Sequence, residues 1–332
     1  MNRFHKLIKN LKAKVTLSNS FHKTVFKMQS NNGETTNVLT HETNNRVSLD
    51  EAVENAKKRI YQLGDKDGIT IEERLSLLKQ LTEFEFGRYL LINRGLTGYW
   101  TRYINLYPKR KHEYNVTHPL EKFILERSPG IVASQQRFDV CQRLLTENIK
   151  DNMKVCSLPC GLMDDLLTLE IANRNNVKFV GIDIDENSVK TATEFAKSLN
   201  LENKCIFYIM DAWKMEFKQE FDILTSNMLV QYVEDEALIV KFYKLVFDAL
   251  KNDGVLIISC LLSPSSVDWT QTKCDMKDVK LSTAVFYDIC QVKWSNYILR
   301  EKMIQQLKDV GFKTVDTYYD EIKRFPTLLA KK

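Results

Sequence analysis

The sequence places a glycine and an acid at a spacing that suits the binding of a ribose-containing cofactor. Gly161 ends the turn Pro159-Cys160-Gly161, and Asp183 follows 22 residues later. A glycine lets the backbone come close to a ligand where a side chain would clash. An acid about 20 residues further on can accept hydrogen bonds from a ribose diol. The two residues therefore predict one shared binding site.

The elements around these residues are predicted from short apolar runs. Residues 154–158 form one such run, a helical pattern follows Gly161, and residues 177–182 form a second run that ends at Asp183. This order is strand, tight turn, helix, strand and acid, which is the start of a doubly wound α/β sheet. The N-terminus of the helix would add unpaired N–H groups and the positive end of a dipole beside the turn.

This stretch resembles the cofactor-binding core of class I S-adenosylmethionine-dependent methyltransferases. Their first motif usually reads acid-x-Gly-x-Gly-x-Gly, whereas residues 157–163 here read SLPCGLM, with only Gly161 kept and Ser157 in place of the acid. Later motifs follow in the family's order, so the resemblance covers about residues 131–332. It implies a Rossmann-like seven-stranded sheet with an antiparallel C-terminal hairpin, preceded by a helical N-terminal region, and S-adenosylmethionine as the cofactor.

The resemblance also implies a set of cofactor contacts. Asp183 would bind the ribose, Asp211 the adenine amino group, and Arg137, upstream of the first motif, the methionine carboxylate. Trp213 would either stack on the adenine or pack locally. The full set of implied cofactor-binding residues is Ser157, Pro159, Cys160, Gly161, Asp183, Ile184, Asp211, Ala212, Asn227 and Arg137.

The predicted chemistry is the in-line displacement of a methyl group from a sulfonium, which requires alignment more than a strong base. Tyr232 is the candidate catalytic residue, because it follows the fourth strand where related small-molecule enzymes often have histidines. Its other interpretation is packing at the start of the next helix. All five histidines, at positions 5, 22, 41, 112 and 118, precede the resembling region, so we expect no obligatory histidine base.

The N-terminal third is predicted to be helical from residue 48 to 130. Ser48 and Thr70 each stand three residues before a glutamate, which is the pattern of a capping box, and the second box opens a long helix to about residue 93. Beyond it, Tyr99, Trp100 and Tyr103 lie in a predicted turn. They either form a lid or substrate wall over the site or pack into a helix–helix corner.

Charge and composition bound the remaining possibilities. Residues 1–30 carry seven basic residues and no acid, which leaves a net charge of −2 for the rest of a chain of net charge +5. A main nucleic-acid-binding surface is therefore not expected. Residues 1–47 are predicted to be a basic, polar, disordered segment, and residues 1–14 are interpreted as a membrane-surface helix, a targeting segment or a solvated, frayed terminus.

Seven scattered cysteines indicate reduced core thiols and a cytoplasmic protein, and no cysteine spacing predicts a metal site. No apolar run approaches the ~20 residues that a membrane helix needs. The sequence predicts three parts, at residues 1–47, 48–130 and 131–332, and leaves the oligomeric state open.

The function predicted is methyl transfer to a small-molecule acceptor at oxygen, nitrogen or carbon. Three alternatives remain: a methyltransferase acting on RNA or protein, a non-catalytic cofactor-binding protein, and an NAD-dependent oxidoreductase. The last is disfavoured because Gly-x-Gly-x-x-Gly is missing and a terminal hairpin is predicted.

Overall fold

A computed structural model describes residues 47–170, 174–293 and 296–332 of the chain. The predictions for the basic N-terminal segment fall outside these residues, apart from Val47. Within them, the centre of the fold is a sheet of seven strands in the order β3-β2-β1-β4-β5-β7-β6. The strands are β1 (Lys154–Ser157), β2 (Lys178–Asp183), β3 (Cys205–Ile209), β4 (Phe221–Asn227), β5 (Leu250–Ser259), β6 (Thr314–Tyr318) and β7 (Thr327–Lys331).

Helices precede the sheet and cover both of its faces. In the part of the chain that the structure describes, six precede the first strand: α1 (Leu49–Leu63), α2 (Ile71–Leu81), α3 (Glu85–Asn93), α4 (Gly98–Arg110), α5 (Pro119–Glu126) and α6 (Pro129–Asn148). Five more are α7 (Asp164–Leu167), α8 (Glu186–Ser198), α9 (Glu236–Ala249), α10 (Met276–Thr283) and α11 (Arg300–Val310), and a π-helical turn at Ala284–Ile289 continues α10.

The strand pairing creates the switch point at which doubly wound sheets bind ligands. Strand β1 pairs in parallel with β2 on one side and with β4 on the other, so the strand order reverses at β1. At the other edge, β7 runs antiparallel to both β5 and β6. The predicted Rossmann-like seven-stranded sheet and its antiparallel C-terminal hairpin are thus confirmed.

The apolar residues of each central strand alternate between two cores. Val180 and Ile182 of β2 pack on one face, beneath α9 and α11, in a cluster that contains Phe242 and Leu307. Phe179, directly before Val180 in sequence, packs on the other face beneath α6 and α8. A strand buried on both faces reads as a continuous apolar run, which is why the sequence predicted it clearly.

The single long helix predicted from residue 70 to 93 is instead two helices, α2 and α3. The capping box at Thr70 forms in full, with side chain and backbone bonds to Glu73 in both directions. The chain then turns between Leu81 and Glu85, and a Cβ on Gly87 would lie only 2.2 Å from the carbonyl oxygen of Leu81. This close approach explains why Gly87 interrupts an otherwise helical pattern, and why the pattern alone did not reveal the break.

Two other local predictions are also corrected. Helix α4 occupies the segment predicted to be a turn around Tyr99 and Trp100, and it includes Pro108 in its last turn. Residues 252–254 read Asn-Asp-Gly, which predicts a turn, but they lie inside β5, where Asp253 takes a positive φ of 62° beside a register shift against β4. In both cases tertiary contacts override the local turn signal.

The helices before the sheet share one core with the segment that follows β5. Residues of α1 to α5 pack with Val285 and Phe286 of the π-helical turn. The segment between β5 and α11 therefore completes the N-terminal helical core. Among the described helices, none is both long and apolar enough to cross a bilayer.

Candidate active site

A cavity of about 300 Å³ opens at the carboxyl ends of the parallel strands. Its lining comes from four parts of the chain: the ends of β1, β2 and β4, helices α4 and α6, the segment after β5, and the loop between β6 and β7. Of the predicted site residues, the lining includes Ser157, Pro159, Cys160, Gly161, Asp183, Ile184, Asn227, Arg137 and Tyr232. The structure thus brings together residues spread over almost 100 positions.

Gly161 and Asp183, the first pair singled out in the sequence, are joined by a hydrogen bond. The Gly161 N–H donates to Oδ2 of Asp183 over 2.8 Å, and the Asp185 N–H donates to Oδ1 over 3.0 Å. The φ of Gly161 is +49°, a backbone conformation that favours glycine, and Gly98 of α4 lies in van der Waals contact with it. A Cβ on Gly98 would meet Leu162 at 2.5 Å, so α4 rests directly on the turn.

Asp183 is a buried carboxylate with acceptor capacity to spare. Burial raises its pKa to about 6, against the opposing effect of the backbone N–H groups that it accepts. A carboxylate can accept about four hydrogen bonds, and the two from Gly161 and Asp185 leave room for a diol. The group is therefore ionised at pH 7 and loses its charge at about pH 6.

Ser157, which stands where the family's first motif has an acid, is hydrogen-bonded to a buried acid of α7. The Ser157 hydroxyl donates to Oδ2 of Asp165 over 2.8 Å, and the Thr225 hydroxyl donates to the same oxygen over 2.7 Å. Asp165 lines the cavity, and burial raises its pKa to about 6. Sequence reasoning missed this residue; the signal was the pair of acids Asp164 and Asp165 directly after the turn.

Arg137 of α6 is a buried cation that lines the cavity without a carboxylate partner in the described part of the chain. It is only 3% exposed, and its Nη1 donates to Oδ1 of Asn227 over 3.0 Å. Its Nε has no partner in the described residues, and burial lowers its pKa. Because a buried unpaired charge is costly, this arrangement suits the binding of an anion.

Tyr232 lines the cavity beyond the end of β4. Burial raises its pKa to about 12, so its hydroxyl is neutral at physiological pH. It can orient an acceptor by a hydrogen bond, but it cannot act as a phenolate base. The described histidines, His112 and His118, lie outside the lining; His118 caps α5 and contacts Glu83.

The structure does not bring the remaining predicted residues to the cavity. Asp211 and Ala212 follow β3, where the Asp211 carboxylate accepts from the Trp213 N–H over 2.9 Å. The Trp213 indole donates to the carbonyl of Leu238 and packs near Phe242. Of its two predicted roles, these contacts agree with local packing.

The predicted substrate wall of Tyr99, Trp100 and Tyr103 is corrected. Trp100 is buried between Phe86 and the other two aromatic rings, with ring centroids about 5 Å apart. The cavity lining contains none of the three. Their positions on α4 point the rings into the helical core, which is the helix–helix packing alternative, while Gly98 and Thr101 of the same helix reach the cavity.

No group of three metal-ligating side chains occurs in the ranges that the structure describes. The cysteines there are unbridged, and Cys156 and Cys160 are buried thiols whose pKa values burial raises.

Comparisons with known proteins agree with this geometry. A family model described as a methyltransferase domain matches residues 149–310. A solved structure from Bordetella parapertussis, named as a possible exported protein, is 32% identical, covers 86% of this chain and 95% of its own, and superposes with a TM-score of 0.80. The match covers a larger share of the chain than residues 131–332 represent. The likeness therefore extends into the N-terminal helices.

Two further relatives are more distant. The ribosomal protein L11 methyltransferase of Caldanaerobacter subterraneus is 22% identical over 188 residues, and the match covers 54% of each chain. The chain therefore spans about half the length of this curated relative. A SAM-dependent methyltransferase structure from Aquifex aeolicus is 17% identical, covers 64% of this chain and 97% of its own, and has a TM-score of 0.43.

Proposed function

We propose that this chain, which belongs to the class I S-adenosylmethionine-dependent methyltransferase family, transfers a methyl group to a small-molecule acceptor. The observation that carries the proposal is the cavity itself. Its volume of about 300 Å³ lies at the lower end of the range for small-molecule sites. Helices α4 and α6 and the segment after β5 line it opposite the strand ends, so an acceptor that enters must be small.

The cofactor contacts proposed within this cavity follow the buried charges. Asp183 accepts from the ribose diol, and Arg137 binds the methionine carboxylate. The turn that ends at Gly161 and the residue Ile184 flank the ribose between them. The support for this assignment is that both charged groups line one cavity, and that Arg137 has no carboxylate partner in the described residues.

The chemistry needs little from the protein beyond alignment. When bound, S-adenosylmethionine supplies a methyl group on a sulfonium. The sulfur leaves as a neutral thioether, which makes it an efficient leaving group. The chain's own residues exclude bulk water and hold the acceptor in line. Tyr232, neutral at physiological pH, would orient the acceptor by a hydrogen bond rather than remove its proton.

The acceptor class is tested by the transfer of labelled methyl groups into a cell extract, followed by separation by size. We expect the label in the fraction of small molecules, and no transfer by heat-denatured protein. Label that accumulates in protein or RNA would support the macromolecular alternative, in keeping with the kind of substrate that the name of the Caldanaerobacter enzyme states. Cofactor binding with no label in any fraction would favour the non-catalytic alternative.

Replacing Arg137 by glutamine is expected to weaken S-adenosylmethionine binding by about 1.5–3 kcal/mol, the range for a hydrogen bond to a charged group. The binding of 5′-methylthioadenosine, which lacks the amino-acid part, should change by less than about twofold. Calorimetric titration of both ligands measures the difference.

Arg143→Gln is the matched control, since Arg143 lies on the same helix but is exposed. An equal loss of affinity for both ligands would show that Arg137 supports the fold and not the carboxylate.

Replacing Tyr232 by phenylalanine is expected to lower kcat about tenfold, roughly the value of one hydrogen bond, with the Kd of S-adenosylmethionine intact. Turnover is measured on the acceptor that the size separation identifies. Tyr208→Phe, at a tyrosine outside the cavity that packs on Phe217, is the control. Unchanged turnover in Tyr232→Phe would remove the hydroxyl from the chemistry.

A further inference from the structure

A second buried arginine lines the cavity and takes no part in the proposed cofactor contacts, although its guanidinium packs near Tyr297, 5.9 Å from the centroid of that ring. Arg324 lies in the loop between β6 and β7 and is 5% exposed. Its Nη2 donates to the Tyr287 hydroxyl over 3.0 Å, while its Nε has no partner in the described residues. Within the same residues no carboxylate lies within ion-pair distance of it. Its guanidinium is thus buried among neutral groups.

The sheet topology places Arg324 on the side of the cavity away from the ribose site. Thr327 of β7 pairs with Ser259 at the end of β5, so the residues just before β7 lie at the carboxyl edge of the parallel strands. Four strand spacings separate β7 from β2, which carries Asp183, a distance of about 19 Å. Arg137, proposed to bind the cofactor's carboxylate, reaches the end of β4 between these two positions.

The loop that carries Arg324 is held in place by a buried carboxylate. Asp320 accepts hydrogen bonds from the backbone N–H groups of Ile322 and Arg324, each over 3.1 Å, and from that of Phe325 over 2.6 Å. The Asp320 carboxylate is therefore committed to the backbone of its own loop. The loop holds the backbone of Arg324, and the bond to Tyr287 holds its guanidinium. Because the side chain is already ordered, little conformational entropy is lost when a ligand binds.

We infer that Arg324, with Tyr287, binds an oxyanion of the acceptor, so that the substrate class is a small organic anion. The inference rests on the proposed function and adds to it the chemistry of the acceptor. The planar guanidinium fork matches the geometry of a carboxylate or a phosphate. The same cavity is also lined by Trp269, Phe286 and Phe325. Their rings suit an acceptor whose remaining atoms are apolar or aromatic.

The test uses the full chain saturated with S-adenosylhomocysteine, so that the Arg137 site is already filled. Titration with S-adenosylhomocysteine alone comes first, and its failure would count against the proposed function instead. Benzoate, phenyl phosphate and the neutral benzyl alcohol are then titrated by calorimetry. We expect at least one anion to bind and the alcohol not to bind; the anion that binds decides between a carboxylate and a phosphate.

Arg324→Gln should weaken binding of that anion by at least about tenfold, with the affinity for S-adenosylhomocysteine within about twofold. Lys323→Gln, which removes a positive charge one residue away at an exposed position, should leave both affinities unchanged. If melting shows that Arg324→Gln does not fold, Arg324→Lys and Tyr287→Phe carry the test, and each should weaken anion binding several-fold.

Two outcomes would overturn the inference. One is that the wild-type protein, with S-adenosylhomocysteine bound, binds neither anion or binds the alcohol equally well. The other is that the folded Arg324 variants bind the anion with wild-type affinity.

Discussion

Replacing Asp183 by alanine is expected to weaken S-adenosylmethionine binding by about 1.5–3 kcal/mol, because the ribose diol loses a charged acceptor. The same carboxylate accepts from the Gly161 N–H, so the variant also releases the turn that faces the cofactor. Calorimetric titration measures the change in affinity, and a melting curve checks that the variant folds.

Glu186→Ala is the matched control, because Glu186 is an exposed acid three residues beyond Asp183 and pairs with Lys190 across a turn of α8. Its affinity for the cofactor should stay within about twofold of the wild type. Wild-type affinity in a folded Asp183→Ala protein would refute the assignment of Asp183 to the ribose.

The pH dependence of cofactor binding follows from the same residue. Burial raises the pKa of Asp183 to about 6, and the proposed hydrogen bonds from the ribose diol need the ionised form as acceptor. The affinity should therefore be constant above about pH 7 and should fall as the pH drops through 6, by at most about tenfold per unit for one proton. Asp165, with a pKa also near 6, accounts for any dependence that remains in Asp183→Ala.

Replacing Asp164 by alanine is expected to lower the free energy of unfolding by about 3–5 kcal/mol, the cost of leaving a buried charge without its partner. The Arg102 Nε donates to both carboxylate oxygens of Asp164, over 2.8 and 3.0 Å, and both side chains are buried. The guanidinium also lies 4.0 Å from the centroid of the Phe195 ring. The pair joins α4 to α7, so its loss also loosens the contact between the N-terminal helices and the sheet domain.

Denaturant unfolding measures this effect, and two controls define it. Lys190→Ala breaks an exposed pair and should cost less than about 1 kcal/mol. The double variant Arg102→Met with Asp164→Leu should recover most of the loss, because no unpaired charge stays buried. A loss below about 1 kcal/mol in Asp164→Ala would mean that water or another group compensates Arg102.

The sheet and the first half of the site could be predicted because their signals are local. Apolar runs buried on both faces indicated the strands. The turn that ends at Gly161 and the acid Asp183 indicated the edge of the sheet at which the cofactor is proposed to bind. Gly161 was recognisable from its turn and its spacing to Asp183, and its positive φ of 49° explains why a glycine stands there.

The rest of the site depends on contacts that no local pattern encodes. Asp165 accepts hydrogen bonds from hydroxyls on two different strands, and Arg324 reaches the cavity only because β7 is antiparallel to β5. The aromatics of α4 were misplaced for a similar reason. On a helix, the face that Trp100 presents is set by its packing on Phe86, and the sequence spacing fits the cavity face equally well.

The placement of the cofactor is tested most directly by a crystal structure of the full chain with S-adenosylhomocysteine. The structure predicts that both ribose hydroxyls lie within about 3.2 Å of the Asp183 carboxylate, at hydrogen-bond distance. The amino-acid carboxylate should contact Arg137, and the sulfur should face Tyr232. A ligand bound elsewhere, or in this cavity with its ribose away from Asp183, would contradict the assignment of the site.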